Sequence, residues 1–141
     1  MADFTLLIRE RVLLEVTERG TDYNLTIKDI NNIDNRIVSV PSGSETIIFK
    51  YDDLPGSGTF RTGSFKYGRI SNYSTGSSLN LKISSSSELI NFSIAAGGTF
   101  LLSTSEITGS LTNTFVYDDI SSVSVEPSGS DGKVEYFIAT T

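Results

Sequence analysis

Apolar residues take every second position through most of this chain. Phe4, Leu6 and Ile8, then Val12, Leu14 and Val16, all fall on even positions between mostly polar neighbours. That is the period of a half-buried strand, whose successive side chains point to opposite faces. A helical face through Phe4, Leu7, Ile8, Arg11 and Leu14 is interrupted by Arg11. The segment therefore predicts one long strand, or two short ones with a bend near Glu10. Gly20-Thr21-Asp22 predicts a turn, and Tyr23, Leu25 and Ile27 a second strand. Asp29–Arg36 reads as a polar loop, and Ile37–Val40 as a short strand stopped by Pro41-Ser42-Gly43. Ile47, Phe49 and Tyr51 alternate, the loop Leu54–Gly58 follows, and Phe60–Tyr67 and Arg69–Tyr73 continue as strands. Leu79, Leu81 and Ile83, a turn at Ser84–Ser87, and then Ile90, Phe92 and Ile94 predict a hairpin. After a turn at Ala95–Gly98 come strands at Thr99–Leu102, Thr112–Tyr117, Val123–Val125 and Val134–Ile138, the last two separated by the loop Pro127–Gly132.

About nine or ten short strands at regular spacing predict an all-β fold, an antiparallel β-sandwich of jelly-roll type. Ala and Leu are too sparse to favour long helices. At 141 residues a single domain spanning 1–141 is the default, with 1–20 read as an extended or exchanged N-terminal strand. Leu7 and Leu13 add apolar odd positions to that strand. With Phe4 they are candidate contact residues for a neighbouring protomer.

One internal repeat stands out. Gly43–Leu54 (GSETIIFKYDDL) and Gly109–Ile120 (GSLTNTFVYDDI) share Gly, Ser, Thr, Phe, Tyr, Asp and Asp in register. It predicts two equivalent strand ends, in similar halves or facing sheets, each closing on an acidic corner.

Composition narrows the chemistry. The chain has no Cys and no His, which removes disulfides, thiol nucleophiles, imidazole bases and zinc sites built on those residues. Its net charge of −6 lacks the basic footprint of nucleic-acid binding. The opening MADFTLLIRERVLLEV carries charges among its apolar residues, unlike a signal peptide. No stretch approaches the ~18 uncharged apolar residues of a membrane span. Three glycosylation acceptor patterns, at Asn24, Asn72 and Asn91, read as chance matches in a Ser/Thr-rich chain.

What remains are carboxylates and one basic, aromatic stretch. Asp52, Asp53, Asp118 and Asp119 are candidate metal ligands, or a glycosidase-like carboxylate pair. Adjacent strand residues face opposite ways, so the favoured role is strand-end residues accepting backbone hydrogen bonds. The segment Asp29–Asn35 offers carboxylate and amide oxygens without the EF-hand pattern, and a self-satisfying loop accounts for it better than calcium. Gly56–Gly63 lacks the Gly-Lys-Ser/Thr of a phosphate cradle, and Asn72–Gly76 resembles a nucleophile elbow without a base to serve it. Arg61, Lys66, Tyr67, Arg69 and Tyr73 could meet a sugar ring or a partner protein. The favoured reading is outward-facing charges on strands, with the aromatics in the core.

The second half carries a cadence of its own. It runs Leu79-Asn-Leu-Lys-Ile-Ser, a Ser loop, Ile90-Asn-Phe-Ser-Ile, Ala96-Gly-Gly-Thr-Phe-Leu-Leu, Ile120-Ser-Ser-Val-Ser-Val and Val134-Glu-Tyr-Phe-Ile-Ala. Over residues 79–138 this resembles small all-β virion proteins of tailed bacteriophages, of the kind that decorate capsids or sit on tails. The resemblance implies a non-enzymatic capsid decoration (cement) protein without cofactors. Such a protein assembles in the host cytoplasm, bridges major capsid protein subunits and acts as a homo-oligomer, a trimer by family habit. The alternatives are a tail-associated module recognising host-surface glycan and, behind it, a carboxylate-based glycan hydrolase.

Overall fold

The structure is a computed structural model describing residues 2–51, 59–60, 65–85, 89–103, 106–110, 113–116 and 120–141. The described residues form fifteen strands and no helix. They divide into two compact units, Met1–Asn31 and Asn32–Thr141.

The first unit is a two-stranded ribbon. β1 (Ala2–Arg9) pairs antiparallel with β4 (Asp22–Ile30), and β2 (Val12–Leu14) with β3 (Thr17–Arg19). One register holds from Phe4↔Ile27 through Ile8↔Tyr23 to Leu14↔Thr17. The segment is two short strands in one register, with Glu10 and Arg11 between β1 and β2. The expected turn at Gly20–Asp22 is not the hairpin turn. The chain reverses at Glu15-Val16, both at positive φ (48° and 65°), as a two-residue type I′ turn requires. Gly20, at φ 152°, instead lies where the ribbon pinches. A Cβ there would stand 1.8 Å from the Glu10 carbonyl oxygen, so only glycine fits.

The second unit is a sandwich. Its long strands are β5 (Asn32–Val40), β6 (Thr46–Tyr51), β8 (Phe65–Asn72), β9 (Leu79–Ser85), β10 (Leu89–Ile94), β11 (Thr99–Leu102), β14 (Ile120–Pro127) and β15 (Gly132–Thr140). One sheet runs β11-β8-β15-β5 and the other β10-β9-β14-β6. All pairs within these two rows are antiparallel. β7 (Thr59–Phe60) adds a short parallel edge to β6. Numbered along the chain, the eight long strands give rows sixth-third-eighth-first and fifth-fourth-seventh-second. That is the double Greek key of a jelly roll, so the expected fold is observed. β12 (Glu106–Ser110) and β13 (Asn113–Val116) form a separate hairpin.

Each long strand sends apolar residues into one core. Among them are Val40, Phe49, Ile70, Leu81, Ile94, Leu102, Val125 and Ile138. Phe49 and Phe65 meet edge to face at 5.2 Å, a favoured aromatic geometry. Simple alternation fails at three bulges. Val123 faces Phe49 and Ser124 faces Ile47, so Ile48 is the extra residue. Ile48 and Phe49 are therefore both buried, whereas Ile47, expected in the core row, is exposed. Lys66 and Ser121 are extra residues in the same way, opposite Ala139/Thr140 and Ser84/Ser85. Each extra residue reverses which parity faces the core.

The polar stretch Asp29–Arg36 is not a loop, because only Asn31 separates β4 from β5. Asp34 accepts from Arg36 Nε at 2.7 Å and from the Tyr136 hydroxyl at 3.1 Å. This gives its oxygens partners within the sheet and accounts for a sequence too polar to read as a strand. β5 is an edge strand, where charged side chains discourage pairing with a stray strand. Burial and the nearby Asp34 carboxylate push the Tyr136 phenol up to about 12.

Candidate functional site

Two features could engage another molecule. The first is the ribbon. Directly opposed side chains share a face, so its constant register collects Phe4, Leu6, Ile8, Val12 and Leu14 with Thr17, Arg19, Tyr23, Leu25 and Ile27 on one side. The other side carries Arg9, Arg11, Glu18 and Asp22, tied by ion pairs from Arg9 to Asp22 and from Arg11 to Glu18 and Asp22. Toward the tip, large apolar side chains stand on both faces opposite Thr17, Glu18 and Arg19: Val12 is 53%, Leu13 72%, Leu14 58% and Val16 95% exposed. Val16 is also a β-branched residue at positive φ, a costly conformation. Of the candidates chosen from sequence, Leu13 lies at this tip, Leu7 is exposed on the charged face, and Phe4 is half-buried on the apolar face.

The second feature is a cleft of about 330 Å³ on the outer face of the four-stranded sheet. It is lined by the end of β8 and the turn between β10 and β11. Gly68, Ile70 and Asn72 turn toward the core, so Arg69, Ser71 and Tyr73 project outward. Arg69 donates through Nη1 to Ser71 Oγ at 2.9 Å. It also makes a two-pronged contact with Glu135 on β15, both prongs at 3.3 Å. Ser71 Oγ shares a hydrogen bond with Thr99 Oγ1 at 3.0 Å. Arg69 first, then the Tyr73 hydroxyl, hold the Glu135 carboxyl below its ordinary range. Glu135 in turn raises the Tyr73 phenol above its own.

Beneath the cleft, buried Asn72 ties three segments together. Its Nδ2 donates to the carbonyls of Ser77 at 2.8 Å and Ile94 at 2.9 Å, and its Oδ1 accepts from the Ser74 amide at 2.9 Å. Backbone bonds from Asn72 N to Gly98 O and from Gly97 N to Asn72 O, each 2.9 Å, fix the opposite wall. An amide used this fully is closed to glycosylation in the fold. Ser74, the nucleophile of the elbow-like motif, accepts from the Lys133 amide at 3.0 Å, and the chain has no histidine to activate it.

The structure thus brings Arg69 and Tyr73 together. Tyr67 lies next to Arg69 but outside the cleft lining: it is buried, edge to face with Phe137 at 6.0 Å. Lys66 is half-buried at its bulge. Arg61 and the carboxylates Asp52, Asp53, Asp118 and Asp119 lie outside the described residues. The strands that lead to the two acidic corners are not equivalent, contrary to the repeat's suggestion. β6 sits in the sandwich, whereas among the described residues β13 pairs with β12 alone. Among the described residues, no group of three or more acidic side chains could hold a metal ion.

Sequence reasoning missed Ser71, Thr99 and Glu135, which are common residue types with no spacing of their own. Asn72 was visible only as part of a motif with a different meaning. No protein-family model, curated protein or solved structure matches this chain.

Proposed function

We propose that this chain is a non-enzymatic structural protein of a virion, a capsid decoration protein that stiffens a bacteriophage shell by bridging coat subunits. The observation that carries the reading is the ribbon tip. Four large apolar side chains exposed at the end of a two-stranded ribbon, one of them in a strained conformation, cost solubility and stability unless something covers them. A neighbouring coat subunit is the occupant we assign. An apolar anchor entering a pocket is the usual centre of such a contact. Jelly rolls serve as viral capsid and lectin domains, which supports the reading by analogy of fold. In a homo-oligomer such as a trimer, several tips engage at once, and each contact raises the effective concentration of the next.

The test is location and copy number. Quantitative mass spectrometry of purified particles should find the chain in a fixed, lattice-sized ratio to the major capsid protein. The doubly substituted Leu13→Ser/Val16→Ser chain should keep its circular dichroism and lose most of its particle occupancy. Absence from every particle, or full occupancy by the tip variant, overturns the proposal.

A further inference from the structure

We propose that the cleft between Arg69, Tyr73 and Thr99 is a binding site for a neutral saccharide. This inference does not depend on whether the chain belongs to a particle. Three properties of the cleft converge on that ligand class. Its volume, about 330 Å³, falls at the lower end of small-molecule sites, which suits a small sugar. Its rim carries hydroxyls at Ser71, Ser74 and Thr99; Ser71 Oγ is taken up by Arg69 and Thr99, while Thr99 and Ser74, which accepts from the Lys133 amide, each keep hydrogen-bonding capacity for a polyol. Tyr73, 55% exposed, provides an aromatic face on which the apolar side of a pyranose ring can lie.

Charge decides between a neutral and an acidic ligand. Arg69 is the charged residue of the lining, and its guanidinium is already matched by Glu135 behind it. The pair is close to neutral, so an added carboxylate or phosphate would gain from Arg69 and lose to Glu135. A sugar hydroxyl carries no such penalty. Its oxygen can accept one of the two guanidinium N–H groups that the bonds to Ser71 and Glu135 leave over. The site is also pre-formed. Asn72 locks the end of β8 to the loop at Ser77 and to Ile94, and Gly97 and Gly98 are bonded back to it. Little ordering remains to oppose binding. Glu135 acts as a positioning residue, holding Arg69.

The experiment is a two-dimensional amide NMR titration of the full chain. The probes are glucose, galactose, mannose and N-acetylglucosamine, each to about 50 mM, well above a millimolar Kd. N-acetylneuraminic acid and inorganic phosphate are run in parallel. The expected result is a saturable shift at Ser71, Tyr73, Gly97 and Thr99 with at least one neutral sugar. Tyr73→Ala should weaken that binding about tenfold or more, while Tyr73→Phe, which keeps the ring, stays within about threefold of the parent. Thr99→Val removes a second rim hydroxyl and should also weaken binding, with circular dichroism confirming that the sandwich is retained despite the lost Ser71 bond. No shift with any neutral sugar, shifts with the acidic probes alone, or binding unaffected by both Tyr73→Ala and Thr99→Val each overturns the proposal.

Discussion

Asn72 is the residue whose removal most directly tests this description of the sandwich. Its side chain makes three hydrogen bonds to backbone, two donated to the carbonyls of Ser77 and Ile94 and one accepted from the Ser74 amide. Asn72→Ala deletes all three and replaces none. At about 1 kcal/mol net for each bond, the loss is about 3 kcal/mol, and more where a carbonyl is left dry. Against a typical total stability of about 5–15 kcal/mol this is a large fraction. With a urea m-value of about 1–3 kcal/mol/M, the midpoint should fall by about 1–3 M. Asn72→Asp should be at least as damaging, because it turns a carboxylate oxygen toward two carbonyls that now receive a donor. The assay is urea unfolding followed by far-ultraviolet circular dichroism, with amide exchange at Ser74 as the local reporter. A loss under about 1 kcal/mol with unchanged exchange at Ser74 would refute the claim that this amide ties the three segments together. Full tolerance of Asn72→Asp would refute the assigned direction of its Nδ2 group.

Three further outcomes follow from particular contacts. Thr140 Oγ1 is buried with no partner among the described residues; Thr140→Val should leave stability unchanged or raise it by about 1 kcal/mol in the same unfolding assay. Gly20→Ala should disrupt the ribbon where a Cβ meets the Glu10 carbonyl, speeding amide exchange across β1 and β4 about thirtyfold or more, equivalent to about 2 kcal/mol. Glu45 and Glu135 are held below the ordinary value of 4.5, Glu45 by Lys82 and then Ser124, Glu135 by Arg69 and then Tyr73. Their contribution is therefore present above that value and lost as the pH falls through their lowered pKa values. The urea midpoint should decline below about pH 4.5, and Glu45→Gln/Glu135→Gln should flatten that decline.

The period-two rhythm was legible because burial on one face of a sheet imposes it locally. Leu79, Leu81 and Ile83 alternate in the sequence and lie in the core in that order. Their strand needs no distant partner to declare which face is apolar. The turns at Pro41–Gly43 and Ala95–Gly98 were legible for a similar reason, since Pro and Gly act on the backbone at their own positions. Even the class of sandwich could be read, because many short strands without helices leave few ways to bury their faces.

Other features depended on residues far apart in the chain. The bulges at Ile48, Lys66 and Ser121 exist only relative to a partner strand, so nothing local marks them, and each inverts the inward parity beyond it. Asp34 and Arg36 looked like loop residues because their partner, Tyr136, is 102 positions from Asp34. The ribbon turn at Glu15-Val16 overrode the glycine signal at Gly20, because one continuous register fixes where the chain must reverse. The candidate cleft is assembled from Arg69, Thr99 and Glu135, residues that become neighbours only when β8, β11 and β15 lie side by side. Local chemistry thus determined most of the sandwich strands, turns such as Pro41–Gly43 and Ala95–Gly98, and the lack of thiol and imidazole groups. Register, bulges and the meeting of distant side chains were decided by tertiary structure alone, since strand pairing is a relation between segments and not a property of either one.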